Sequence, residues 1–331
     1  MNMKIATDKW DGYPHVLGAG AFSKRWLQRF FGKVEDMEQR FRKGMCDNIL
    51  RNKKLILIFS EPSTRTSTFL TIAAQNLGAN VIDIRDPENL SSMIKGEPFT
   101  EMIQVLSRGL HYGSVNGAPQ GVIAIRHKKE GTARLATQFS CVPIINAGDG
   151  KGEHPTQGLL DVCTIQRIFG KISGLSFALA GDLLNGRTVH TLPLLLSKFD
   201  DIKMFFVSPP ELAMPKDIKE ELRARDVQFA ESTDLREVAP HVDVIYQTRT
   251  QRERGSELDK NDRSLGYFII DRTVLDLMKQ DAIIMHPLPK VPGDTTLEVD
   301  QSRAAVYFTD QLDASIITKM TLFEMMFFPE E

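Results

Sequence analysis

Six short polar clusters hold the residues that could do chemistry. They are Glu61-Pro-Ser-Thr-Arg-Thr66, Arg126, His154-Pro-Thr-Gln157, Gly181 to His190 (GDLLNGRTVH), Thr248 to Arg254 (TRTQRER) and His286 to Lys290 (HPLPK). Arg, His, Gln and Thr dominate them. Such side chains bind anions and stabilise negative charge that develops during a reaction. In Ser63-Thr64-Arg65-Thr66, three hydroxyls and a guanidinium stand where an apolar run hands over to a helical segment. A helix N-terminus leaves backbone N–H groups without partners and carries partial positive charge. Added hydroxyls and a forked cation make it a phosphate site that needs no glycine-rich loop. Taken alone, the four residues also fit an ordinary capped helix, with Ser63 or Thr64 at the cap and Arg65 in solvent.

Other chemistries find less support. The sequence has no Walker loop, no GxGxxG fingerprint and no HExxH motif. GAGAFS (18–23) follows no convincing strand and predicts a turn before a helix. No paired carboxylates suggest sugar chemistry, and no Ser/His/Asp order is evident. No metal site is expected.

The elements that must position these clusters are legible as alternation. Apolar, β-branched runs occur at 55–60, 80–84, 121–127 and 142–148, and again at 175–182, 202–209, 227–232, 242–249 and 282–289. Helix-like segments separate them, with helices predicted near 186–199, 214–225 and 233–240. Strands alternating with helices imply parallel sheets covered on both faces. The fold class is therefore α/β, with two doubly wound parallel-sheet domains of similar size joined by helices. In open parallel sheets ligands bind beyond the carboxyl ends of the strands. All six polar clusters fall at such ends. The segment 154–170 predicts one helix ending at Gly170 and places the domain boundary near 155–172. The first 50 residues look mostly helical, with Trp26, Phe30, Phe31 and Met37 on an apolar face, and 111–121 predicts a loop.

Bulk properties agree. A chain of 331 residues suggests two domains, and 42% apolar content is enough for ordinary cores. A net charge of -2 gives no support to nucleic-acid or membrane-surface binding. Cys46, Cys141 and Cys163 show no CxxC spacing and fit reduced thiols. No signal core and no apolar run of about 18 residues is present. A cytoplasmic, globular protein is expected.

Taken in order, STRT (63–66), HPTQGLLD (154–161), GDLLNGRTVH (181–190), TRTQRER (248–254) and HPLPK (286–290) resemble the aspartate carbamoyltransferase family, catalytic chain, within the aspartate/ornithine carbamoyltransferase superfamily. The resemblance covers roughly residues 50 to 300. It implies a carbamoyl-phosphate-binding domain over 1–155, with a C-terminal helix near 311–328 packing back on it, and an aspartate-binding domain over 156–310. By matching position, Ser63, Thr64, Arg65 and Thr66 would hold the phosphate. Thr66, Arg126 and His154 would surround the carbonyl oxygen, and Gln157 would contact the amino group. Arg187, Arg249 and Gln251 would hold the carboxylates of aspartate. Pro287 and Leu288 would offer backbone carbonyls to the reacting amines. Ser91 and Lys95 match a loop that the family inserts into a neighbouring subunit's site. The resemblance thus implies transfer of a carbamoyl group to L-aspartate in pyrimidine synthesis. It also implies a homotrimer with shared sites, leaves room for a regulatory chain, and involves no metal or organic cofactor.

The sequence departs from the family's pattern in four places. STFLT (67–71) replaces an Arg and a Ser-Phe-Glu stretch. Lys290 replaces an Arg, which keeps charge but is expected to lose a bidentate pair. The loop near 111–120 looks longer than usual, and the tail lacks the Arg-Met-Ala pattern of the last helix. Two alternatives accompany the aspartate reading. One is another acceptor such as ornithine, which HPLP in place of HCLP disfavours. The other is a non-catalytic paralogue.

Overall fold

The structure is a computed structural model that describes residues 9–10, 13–90, 92–112, 119–249 and 268–328. Two compact units make up the chain: Met1–Cys163 with Ala314–Glu331, and Thr164–Asp313.

In the first unit, two short antiparallel strands, β1 (Lys9–Trp10) and β2 (Tyr13–Pro14), precede helix α1 (Lys24–Arg42). Residues 18–23 form the turn expected there, and the Ser23 hydroxyl caps α1 by accepting from the Trp26 N–H at 3.1 Å. Leu27, Phe30, Phe31 and Met37 are buried on one face of α1, while Trp26 is half-buried. Among the described residues up to 50, helix covers Ala19–Ala21 and Lys24–Arg42.

There follow β3 (Lys54–Phe59), α2 (Arg65–Asn76), β4 (Asn80–Arg85), α3 (Pro87–Leu90), α4 (Phe99–His111), β5 (Gly121–His127), α5 (Thr132–Thr137), β6 (Ile144–Asp149) and α6 (Pro155–Phe169). The four strands β3 to β6 pair in parallel in the order β4-β3-β5-β6. Side chains alternate between faces with period two. Ile56, Ile58, Ile123 and Ile125 therefore share one face, where they pack with Met102 and Ile103 of α4 and Ala133 and Ala136 of α5. Leu55, Leu57 and Phe59 are buried too, so β3 is covered on both sides. Edge strand β4 is largely exposed.

The second unit contains β7 (Ser176–Ala180), α7 (Arg187–Leu196), β8 (Lys203–Val207), α8 (Lys216–Ala224), β9 (Gln228–Ser232), α9 (Leu235–Val238), β10 (Val244–Gln247), α10 (Arg272–Leu277), β11 (Ile283–Met285) and α11 (Leu297–Asp300). Its five strands are parallel, in the order β11-β10-β7-β8-β9. Ala178, Ala180, Ile245, Ile284, Val299 and Tyr307 lie in its core. The last helix, α12 (Asp310–Phe327), belongs to the first unit from Ala314 onward. Arg40 of α1 makes a two-pronged ion pair there with Glu324, at 2.9 and 2.7 Å.

Strand order supplies what the linear pattern could not. In the first sheet the chain leaves β3 for β4 on one side and returns to β5 on the other. In the second it runs β7, β8, β9 outward and then places β10 on the far side of β7. Each sheet therefore has one switch point, between β3 and β5 and between β7 and β10. In open parallel sheets the crevice for a ligand opens at the carboxyl ends of such a strand pair.

Candidate active site

At the first switch point, Phe59 and Arg126 lie opposite each other at the ends of β3 and β5, and the Ser60 N–H donates to the Arg126 carbonyl at 2.9 Å. Helix α2 starts at Arg65, with Thr64 at its cap. No side chain caps it: Thr64 has helical φ and ψ, so its hydroxyl does not take the N–H groups of the first turn. The buried Ser67 hydroxyl instead donates to the Ser63 carbonyl and tightens the turn. The capped-helix alternative therefore lacks its defining bond. A helix start without a side-chain cap, beside hydroxyls and a guanidinium, is the arrangement a phosphate needs.

Thr66, in the first turn of α2, stands 3.3 Å from His154 through Oγ1 and Nε2. His154 is buried, and its Nδ1 lies 3.2 Å from the Thr156 hydroxyl. Both ring nitrogens thus have a neighbour that fixes the ring plane. The loop carrying His154 is held by Asp149, whose carboxylate accepts from the Glu153 and Gly131 N–H groups at 3.1 and 2.8 Å. Gly150 sits at φ +47°, where a Cβ would stand 2.8 Å from the Lys128 carbonyl, so glycine is required.

Arg126 is half-buried and paired with Glu61, Nε to Oε2 at 3.4 Å. Gln157, in the first turn of α6, donates through Nε2 to Asp161 Oδ1 at 2.9 Å, which leaves its Oε1 free to face a donor. Lys95 is exposed at the end of a short 3-10 turn, Ser92–Lys95. Ser91 lies outside the described residues. The first unit thus brings Ser63, Thr64, Arg65, Thr66, Arg126, His154 and Gln157 to the carboxyl end of one sheet, while Lys95 stands on the surface.

At the second switch point, Gly181 at φ +111° packs its Cα so close to β10 that a Cβ would lie 2.0 Å from the Thr248 carbonyl. The turn that follows is tied by Asp182, whose Oδ1 accepts from the Asn185 N–H at 3.0 Å. It delivers Arg187 to the first position of α7, where the side chain is buried. Arg187 is therefore no solvated surface charge. Arg249 follows β10 and is half-buried. Gln251 lies outside the described residues. Pro287 and Leu288 form the turn after β11, joined to Pro289 by a cis Leu288–Pro289 bond, with Leu288 at φ +56°.

Lys290 keeps its charge in an ion pair. Its ammonium contacts both carboxylate oxygens of Asp300 and donates to Thr295 Oγ1 at 2.7 Å, a single-nitrogen contact where an arginine could offer two donors. Burial raises the Asp300 carboxyl, but hydrogen bonds from Lys290, Tyr307 and Thr295 outweigh it and hold the group below the usual carboxylate range.

Several supporting residues received no role from the sequence: Glu61 beside Arg126, Thr156 beside His154, Asp161 beside Gln157, and Asp294 and Asp300 beside the last turn. Gln157 and Asp161 stand four apart on a helix, a spacing that places side chains together and was legible. Asp300 was not, because its partner lies on another element. Among the described residues no group of three or more His, Cys, Asp and Glu is arranged to hold a metal ion.

Comparisons with known proteins point one way. A family model described as aspartate/ornithine carbamoyltransferase, carbamoyl-P binding domain, matches residues 14–167, and one for the Asp/Orn binding domain matches 173–326. The chloroplastic aspartate carbamoyltransferase of Arabidopsis thaliana is 41% identical over 94% of this chain and 77% of that protein. The catalytic subunit of aspartate transcarbamoylase from M. jannaschii superposes with a TM-score of 0.83 at 37% identity, over 94% of this chain and 97% of that one. The Trypanosoma cruzi aspartate transcarbamoylase, solved in complex with carbamoyl phosphate and aspartate, superposes with a TM-score of 0.84 at 30% identity, over 97% and 96%.

Proposed function

Because this chain belongs to the aspartate/ornithine carbamoyltransferase family, we propose that its two sets of cationic and hydroxylic residues carry out a single carbamoyl transfer. The enzyme moves the carbamoyl group of carbamoyl phosphate to the amino group of L-aspartate, giving N-carbamoyl-L-aspartate and phosphate, a step of pyrimidine synthesis. The observation that carries the site assignment is the uncapped start of α2 at a switch point, with Thr66 against His154 and Arg126 on the adjoining strand end.

In this reading Ser63, Thr64, Arg65 and Thr66 take the phosphate. Thr66, Arg126 and His154 donate to the carbonyl oxygen, and Gln157 Oε1 accepts from the carbamoyl amino group. Arg187, Arg249 and Gln251 take the two carboxylates of aspartate. The amine attacks the carbonyl carbon, the C=O electrons move to oxygen, and the tetrahedral oxyanion collapses with loss of phosphate. The amine's proton leaves with the phosphate, so no dedicated protein base is needed. Each donor to the oxyanion is worth about 3–4 kcal/mol. Holding the reactants in attack geometry contributes up to about 7–11 kcal/mol more.

Lys95 and Ser91 complete the site of a neighbouring copy in a homotrimer. In support, Ile82 on edge strand β4, together with Leu90, Ile94, Val105 and Tyr112, leaves large apolar side chains exposed on the unit that carries Lys95. Such a surface fits a subunit contact. The three free cysteines suit a reducing compartment, and we place the protein in the cytoplasm, although the plant relative is chloroplastic.

The test is a transfer assay with labelled carbamoyl phosphate, offering aspartate, ornithine and a small amino-acid panel in parallel. Label in carbamoyl-aspartate alone is expected. Label in another product would keep the phosphate site and overturn the roles of Arg187, Arg249 and Gln251.

A further inference from the structure

Leu288 is a branched, non-glycine residue held at φ +56°. That region is unfavourable for an L-residue, so something must hold it there. The Leu288 N–H donates to His286 Nδ1 at 2.8 Å. An accepting Nδ1 carries no proton, so the ring's proton sits on Nε2. Nε2 in turn lies 3.2 Å from Asp294 Oδ2. The same carboxylate oxygen accepts from the Val291 N–H at 2.8 Å, on the far side of the turn. Both side chains are almost fully buried, at 1% and 8% exposure. The His286 N–H is itself tied to Gln311 Oε1 at 3.1 Å.

A buried histidine whose tautomer is set at both nitrogens acts here as a spacer. It fixes the direction of one backbone amide, and with it the peptide planes on either side of Leu288.

We propose that His286 and Asp294 are positioning residues for the transfer reaction: through the Leu288 N–H they aim the carbonyls of Pro287 and Leu288 at the reacting amines. This rests on the proposed carbamoyl transfer and on the role that the family resemblance implies for those carbonyls. Neither side chain has to touch substrate for it to hold. The pair acts on geometry, and a misplacement of about 1 Å costs about 100-fold in rate.

Two nearly isosteric substitutions separate the two ring nitrogens. In His286→Asn the amide oxygen can occupy the Nδ1 position and keep an acceptor for Leu288. In His286→Gln the terminal amide can reach Asp294, but nothing accepts from Leu288. The expected result is a kcat within about 5-fold of wild type for His286→Asn and about 100-fold lower for His286→Gln. KM for both substrates should stay within about 3-fold in each, because the binding cations are untouched. Hydrogen exchange at the Leu288 amide supplies a readout that catalysis does not influence: it should accelerate only in His286→Gln.

Equal kcat in all three proteins would overturn the proposal, as would a parallel fall in both variants or a slow His286→Gln whose Leu288 amide stays protected. If His286→Gln does not fold, Asp294→Asn carries the test, with kcat expected to fall at least about 10-fold and an unchanged kcat counting against the pair. A wild-type protein that transfers no carbamoyl group would remove the underlying reading, and this inference with it. A normal wild type with indifferent variants removes the inference alone.

Discussion

Replacing Lys319 by Met is expected to make the protein more stable in acid and neutral solution than in base, relative to wild type. Lys319 lies on α12, buried at 3% exposure, with its ammonium donating to the Ser315 hydroxyl and carbonyl at 2.6 and 3.1 Å and facing the Phe69 ring of α2 at 5.8 Å. Burial pushes its pKa from 10.5 down to about 7, against the opposing pull of the buried Asp161 carboxylate on α6. A lysine with a lowered folded-state pKa binds fewer protons folded than unfolded between those two values. Stability therefore rises with pH across that window. At about 1.36 kcal/mol per pH unit, the full span from about 7 to 10.5 amounts to about 5 kcal/mol. Between pH 7 and 9.5, the practical range, about 3 kcal/mol of it should appear.

Methionine fills a similar volume without a charge. Its variant lacks this slope, while the remaining titrating groups are shared and largely cancel in the difference. Urea denaturation of both proteins at pH 7, 8, 9 and 9.5 measures that difference directly. The wild type should gain on the variant by about 3 kcal/mol over the series. A flat difference would mean that Lys319 titrates near its ordinary value. Attraction to Asp161 strong enough to outweigh burial would also leave the difference flat, because both states then stay protonated across this range. The site has a stake in the answer, because Asp161 also anchors Gln157 at 2.9 Å.

Arg65→Ala should lower kcat/KM for carbamoyl phosphate by about 1000-fold or more, and phosphate binding by calorimetry should weaken in parallel; normal values would remove the phosphate cradle. Arg187→Ala should raise the KM for aspartate at least about 10-fold while leaving that for carbamoyl phosphate within about 3-fold, measured by varying each substrate in turn. Gly181→Ala forces a Cβ to within 2.0 Å of the Thr248 carbonyl at a positive φ. It should cost about 3 kcal/mol or more in a denaturation curve. Mixing inactive Lys95→Ala chains with inactive Arg65→Ala chains should restore part of the activity in verified hybrid trimers, and no recovery would count against shared sites.

Much of the scaffold was legible because its signals are local. Apolar runs such as 55–60 and 121–127 became β3 and β5 within a residue or so of their ends, and residues 154–170 became a single helix, α6. A parallel sheet buried on both faces leaves continuous apolar runs, and each run here ends where polar residues begin. The site was legible in part for the same reason. Ser63 to Thr66 and His154 to Gln157 are contiguous clusters at strand ends, and a cluster announces itself in one dimension.

What stayed hidden depends on pairs distant in sequence. Glu61 belongs to the quoted EPSTRT stretch, yet its partner Arg126 lies on another strand. Lys290 finds its acceptors, Thr295 and Asp300, on the segments that follow it. Lys319 drew no notice, because a lysine in a helix is ordinarily solvated. Sequence by itself determined the element types, the parallel α/β class and the chemical character of the clusters, since periodicity and composition act over a few residues. Only tertiary structure decided the strand order, and with it the switch points beside which the clusters stand. It also decided which charges are buried and which backbone amide His286 holds, because burial and hydrogen bonding are properties of neighbours in space.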